Sequence, residues 1–133
     1  MVAMDALPDE PPGTPAASTR PAGIARLIVS VARLGPALVF YRDLLGLPVR
    51  RRSGDFVWLE TGDGVELLLH QRPSAASDAA VSIGFGVTGL DAVARRWTAL
   101  GGAVIDPPAA QPWGERMAVL RDADGHVVCL SEL

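Results

Sequence analysis

Glu66 and His70 stand two residues on either side of Leu68 in the run Glu66-Leu67-Leu68-Leu69-His70. If that run is a strand, alternation puts the carboxylate, the leucine and the imidazole on one face. Glu66 or His70 would then be placed to move a proton on a bound molecule, and with Cys129, the only cysteine, they would make a metal-ligand set. The plainer reading of the same residues is two hydrogen-bonding or solvated side chains and a small buried thiol. His126, the second of two histidines, follows Asp124-Gly125 and is expected to face the other way as a structural residue. No Ser-His-Asp or Cys-His order stands out. Arg26 would lie on the same face as Glu66, where an arginine needs either that carboxylate or an anionic ligand, and both readings stay open. Trp58 and Trp113 offer flat surfaces for stacking a conjugated ligand, or fill core and plug one end. Arg50-Arg51-Arg52 reads as a solvated strand edge or as a grip on an anion.

Composition narrows the function classes. The chain has 133 residues, 49% of them apolar and 20% charged, which fits one globular domain. No apolar stretch approaches the roughly 18 residues needed to span a bilayer. Asp5, Asp9 and Glu10 occupy a start that lacks the basic and apolar regions of a secretory signal, so a cytoplasmic location is expected. A net charge of −3 argues against a general nucleic-acid binder. One cysteine excludes an internal disulfide and a cysteine-rich zinc module. All twelve basic residues are arginine, a bias expected of a GC-rich genome.

Residues 1–23 carry five prolines among Ala, Gly, Ser and Thr with no apolar period, and read as a flexible tail. From Ile24 a β-branched run gives way to Leu34, Leu38, Tyr41 and Leu45 at helical spacing, which predicts a strand and then a helix over residues 35–45. Pro36 suits its first turn and Gly46 its left-handed cap. The pattern returns 56 positions later, carrying Val31, Leu34, Tyr41, Leu44 and Gly46 onto Val87, Leu90, Trp97, Leu100 and Gly102. The shift then grows to 61, with the extra length assigned to a loop over residues 105–116, so that Phe56-Val57-Trp58-Leu59 falls on Met117-Ala118-Val119-Leu120 and Asp63-Gly64 on Asp124-Gly125. Asp-Gly marks tight hairpin turns. Thr88 and Asp91 have the spacing of a capping box for the second helix. Two units of strand, helix and three strands, at 24–72 and 80–133, must join to bury their faces. The expected class is α+β, two tandem βαβββ modules forming an open eight-stranded half-barrel cleft.

Alternation also assigns faces. Leu27, Val29 and Val31 match Ile83, Phe85 and Val87 as the side under the helices, as Leu67 and Leu69 match Val128 and Leu130. The opposite, concave side receives Arg26, Ile28 and Ser30 with Glu66, Leu68 and His70, and from the repeat Ser82, Gly84 and Gly86 with Val127, Cys129 and Ser131.

Phe40-Tyr41-Arg42-Asp43-Leu44-Leu45-Gly46 is similar to the F-Y-x-x-x-L-G helix end of the vicinal oxygen chelate superfamily, and Asp122-Ala123-Asp124-Gly125-His126 resembles its terminal D-P-x-G-N. That superfamily includes glyoxalase I, fosfomycin resistance enzymes, extradiol dioxygenases and bleomycin resistance proteins. The resemblance covers residues 24–133. It implies paired modules around a cleft, a homodimer, and in many members a divalent metal held by His, Glu or Gln. The metal positions it implies are Arg26, Leu68, Ser82 and Cys129, none a usual ligand of that fold except Cys129. The expectation is therefore a metal-free binding protein without cofactor that sequesters a small aromatic or antibiotic-like molecule. Arg26, Trp58, Leu68, His70, Ser82, Trp113 and Cys129 would line its cleft. The alternatives are a glyoxalase-like lyase or isomerase with a non-standard metal site, using Glu66 or His70, and a non-catalytic accessory domain.

Overall fold

The computed structural model describes residues 20–77 and 80–133, so the tail expected over residues 1–23 lies outside it up to residue 19. The first module is β1 (Arg26–Val31), α1 (Leu34–Leu38) running on into a π-helical turn (Val39–Leu44), β2 (Val49–Ser53), β3 (Phe56–Glu60) and β4 (Glu66–Gln71). The second is β5 (Ile83–Val87), α2 (Leu90–Ala99), β6 (Val104–Ala110), β7 (Arg116–Arg121) and β8 (Val127–Glu132). Each module forms its own four-stranded sheet, in the orders β1-β4-β3-β2 and β5-β8-β7-β6. The pairs β1/β4 and β5/β8 are parallel and the remaining pairs antiparallel. Neither sheet closes on itself. The α+β class and the repeated βαβββ unit are as expected, with the eight strands divided between two open sheets.

Period-two alternation decides which faces pack. Val57, Leu59, Leu67 and Leu69 of the first sheet and Leu120 and Leu130 of the second are fully buried under the helices, with Phe40, Tyr41, Leu90 and Trp97 against them. Phe40 meets both Tyr41 and Trp97 edge-on with ring centroids 4.9 Å apart, which joins the two helical segments at the centre of the molecule.

The two helices differ by one residue, and the π turn absorbs it. In the second module Leu100 N–H bonds to Arg96 C=O, the normal α spacing, whereas in the first Leu45 N–H reaches Phe40 C=O, one residue further back. The chain leaves each helix through a matching bond, Leu47 N–H to Tyr41 C=O and Gly102 N–H to Trp97 C=O, again one residue longer in the first. A residue inserted between anchored helix ends bulges into a π turn because neither end can rotate to make room. The repeat is thus offset by 56 at the helix start and by 55 at its end. The left-handed glycines are accordingly Gly46 (φ 76°) and Gly101 (φ 87°), which corrects the pairing of Gly46 with Gly102. Gly102 has a different duty: a Cβ there would stand 2.0 Å from the Trp97 ring.

Two further expectations give way to longer-range partners. The Thr88/Asp91 capping box does not form. The Glu132 carboxylate accepts the Gly89 and Leu90 N–H groups at 2.8 and 3.0 Å, and Asp91 pairs with Arg116 at 2.7 Å. The expected loop over residues 105–116 shrinks to residues 111–115, closed by Gln111 N–H on Glu115 C=O. Asp106-Pro107-Pro108 lies within β6, whose two register shifts against β7 take up the extra length. Its prolines are tolerated because β6 is an edge strand.

Asp122 is the one buried polar or charged residue among those described. Its Oδ1 accepts the N–H groups of Asp124 and His126, both at 2.9 Å, and its Oδ2 accepts the Tyr41 hydroxyl at 2.6 Å. Asp124 Oδ1 also accepts Ala32 N–H, so the last turn of the second module holds the first at two points. Burial, then the charge of Asp122 and the hydrogen bond to it, push the Tyr41 hydroxyl well above its usual range. Only the unfolded chain then releases this proton near pH ~10, so the stability is complete below that pH and falls as pH rises above it. Tyr41 is the sole tyrosine, so absorbance at 295 nm reports on it alone. No phenolate is expected until the chain unfolds, and Tyr41→Phe is expected to lower stability by about 1.5–3 kcal/mol in chemical denaturation. Phenolate appearing near pH ~10 in a still-folded chain would contradict this.

Candidate functional site

On the face of the first sheet turned away from the helices, strand register builds three rows. Arg26 of β1 lies opposite Glu66 of β4, which lies opposite Glu60 of β3. Ile28, Leu68, Trp58 and Arg51 make the second row, and Ser30, His70, Phe56 and Ser53 the third. The first row is neutralised within itself, by Arg26 Nε on Glu66 Oε2 and Arg50 Nε on Glu60 Oε2, each at 2.6 Å. The partner of Arg26 is therefore the internal carboxylate. The other two rows contribute planar groups in series. His70 stacks on Phe56 with centroids 4.3 Å apart, Phe56 on Trp58 at 5.6 Å, and the Arg51 guanidinium lies 3.8 Å from the Trp58 ring centroid.

The corresponding face of the second sheet is built from small groups, Gly84, Gly86, Cys129 and Ser131 with Val119 and Met117. Ser82, just before β5, brings its hydroxyl to 3.7 Å from the Cys129 thiol. Where the modules adjoin, a cavity of about 350 Å³ is lined by Ile28 and Ser30 of β1, by Ser74 and by Ser82, Ile83 and Val127 of the second module. His126 closes one wall. Its Nε2 lies 2.8 Å from Ser30 C=O and its Nδ1 2.9 Å from Ser77 N–H. A carbonyl only accepts and an N–H only donates, so Nε2 donates to Ser30 and Nδ1 accepts from Ser77.

Arg26, Trp58, Leu68 and His70 thus share one face, and Ser82 and Cys129 meet each other in the second module. Trp113 sits in the 111–115 turn, 65% exposed and apart from the cavity lining. Sequence reasoning did not reach Phe56 or Glu60 as site residues, although both have the parity of Trp58. Arg51 was reached only within the Arg50-Arg51-Arg52 run and without a face, because the register of β2 slips between Val49 and Arg51 and alternation does not foresee a bulge.

The side chains do not suit a divalent ion. Leu68 has no donor atom, the Arg26 cation would sit beside the metal, and Glu66 is already committed to Arg26. Among the described residues no three of His, Cys, Asp and Glu gather closely enough to hold one.

A family model described as "Glyoxalase-like domain" matches residues 26–131. No curated protein matches the chain. Among solved structures, the fosfomycin resistance protein FosX of Listeria monocytogenes superposes with a TM-score of 0.72 at 17% identity, over 86% of this chain and 95% of its own. Lactoylglutathione lyase from Agrobacterium tumefaciens gives 0.64 at 26% identity, over 84% and 94%. A protein of unknown function from Agrobacterium tumefaciens str. C58 gives 0.68 at 25%, over 86% and 96%. The first of these likenesses is one of fold alone.

The pair between Arg26 and Glu66 is half-exposed, at 50% and 37% of their side chains, and water screens such pairs strongly. Arg26→Ala is expected to lower stability by less than about 1 kcal/mol in a denaturant titration, so the variant stays folded and usable in binding assays. A loss of several kcal/mol would show that Arg26 supports the sheet itself.

Proposed function

The chain belongs to the glyoxalase-like family, and from that premise we propose that it is a metal-free binding protein that holds a small, largely aromatic molecule and keeps it from its target. The observation that carries this reading is the series His70, Phe56, Trp58 and Arg51 on an open sheet face, beside metal positions occupied by Arg26, Leu68, Ser82 and Cys129. The faces of Phe56 and Trp58 are taken by their neighbours in the series, so a flat ligand meets the ring edges, through dispersion and edge-to-face electrostatics. Sequestration needs affinity and slow release, and turnover plays no part. The cavity at the module junction leaves room for the ligand's remaining bulk.

A glyoxalase-like lyase reaction is the competing reading, favoured by the likeness to lactoylglutathione lyase. It would require a proton to move at Glu66 or His70. Glu66 is tied to Arg26, and His70 is packed face-on against Phe56, an arrangement better suited to recognition than to proton transfer. We also propose a homodimer. The strand edges β1, β2, β5 and β6 are open, and Ile28 and Val81 expose 57% and 82% of their surface. Size in solution tests it, a monomer at micromolar concentration being the outcome against it.

The binding reading is tested by titrating aromatic antibiotics while monitoring thermal stability and tryptophan fluorescence, in wild type and Trp58→Ala. Saturable binding is expected, weakened about tenfold, or ~1.4 kcal/mol, by the substitution. A parallel titration with zinc, nickel and manganese is expected to give no stabilisation. A stoichiometric ion whose effect disappears in His70→Ala or Glu66→Gln would move the protein among the metalloenzymes, and absence of any saturable ligand would leave an accessory domain.

A further inference from the structure

Four arginines reach the open face of the first sheet or its rim, and they divide into two kinds. Arg26 and Arg50 are each bound to a carboxylate at 2.6 Å. Arg51 and Arg72 have no carboxylate partner among the described residues. Arg72 donates to the Ser30 hydroxyl at 2.7 Å, and Arg51 rests on Trp58. Charge is therefore balanced along the row of Glu60 and Glu66 and remains positive along the stacked planar groups. The acid at the β2–β3 turn, Asp55, accepts from the Gln71 side chain. Arg52, in register with Val57, belongs to the other face.

Stacking fixes what Arg51 presents. A guanidinium lying over an indole satisfies its face and keeps its five N–H donors at the periphery. Those donors find no acceptor in the protein among the described residues, and the side chain is exposed. Free donors in a rigid fork, on the flank of a planar stack, are the complement of a carboxylate carried on a flat ring.

We propose that the ligand class of this site is the planar aromatic carboxylates, with Arg51 as the residue that reads the acid group. The proposal rests on the binding reading above and narrows it. The ring lies against the edges of Trp58 and Phe56, whose faces are taken up by His70, by each other and by Arg51, and the carboxylate takes two N–H groups of Arg51 in a bidentate pair. Arg26, the arginine singled out by strand alternation, has no part in this because Glu66 already occupies it.

Three naphthalene probes of equal ring area separate the ring from the charge: 2-naphthoate, its neutral amide and the corresponding methylammonium. Calorimetric titration is made with wild type, Arg51→Met, which keeps an aliphatic chain on Trp58, and Arg26→Met, which removes the same formal charge from the same face. Unchanged melting of both variants confirms that they are folded. In wild type the acid is expected to bind at least tenfold more tightly than the amide, with the ammonium weakest. Arg51→Met should bring acid and amide within about twofold, while Arg26→Met leaves their ratio unchanged.

Equal binding of acid and amide by wild type would overturn the proposal while leaving an aromatic-binding site standing. A preference for the acid that survives in Arg51→Met, or is lost equally in Arg26→Met, would overturn the role of Arg51. Failure of all three probes to bind at millimolar concentration would remove both this proposal and the reading it rests on.

Discussion

Asp122 spends one carboxylate oxygen on its own turn and the other on Tyr41 of the opposite module. Each half of the molecule has a sheet covered by a single helix, so one apolar layer would meet water if the halves stood apart. Their helical segments close that gap through Phe40, Tyr41 and Trp97. A carboxylate at the centre of such a contact would be very costly without partners. Three donors converge on it, and the hydroxyl among them comes from the other half. The Tyr41–Asp122 bond and the relative placement of the sheets form one constraint.

Much of this was legible in the sequence. A strand's period of two is rigid, so the buried positions Val29, Val31, Leu67 and Leu69 could be read without knowing what covers them, and the repeat supplied an independent check. Reading failed where distant partners decide. Thr88 and Asp91 have the right local spacing for a cap, but Glu132 reaches the same N–H groups from the end of β8. Proline in Asp106-Pro107-Pro108 signals a loop unless the strand is known to lie at an edge, which is a property of the sheet. Aligning Gly46 with Gly102 presumed that both helices are regular, and nothing local announces a π turn. The site was half legible for the same reason. Arg26, Leu68 and His70 follow from parity, whereas Arg51 depends on a bulge and Trp113 on a turn.

The two sheets have opposite characters on their open faces. The first bears bulky rings and charges in fixed register, and the second bears Gly84, Ser131 and the single thiol beside Val119 and Met117, with Leu133 lying over Gly86. Leu68 fills the middle row of the first face between Ile28 and Trp58 and makes that wall continuous.

Asp122 has a counterpart in the first module, and the difference between them carries a consequence. At the equivalent position Thr61 also accepts the N–H four residues on, from Val65 at 2.9 Å, but a hydroxyl has no second oxygen to offer, and its proton goes to Asp63. Trp97, which stands where Tyr41 stands, meets the Arg121 backbone carbonyl within its own module. The halves therefore differ as plug differs from socket. Two first modules would bring tyrosines and no carboxylate to receive them, and two second modules a buried carboxylate with no hydroxyl. Duplication alone would have produced interchangeable parts, and the Tyr41–Asp122 pair gives the junction a polarity that favours the mixed pairing.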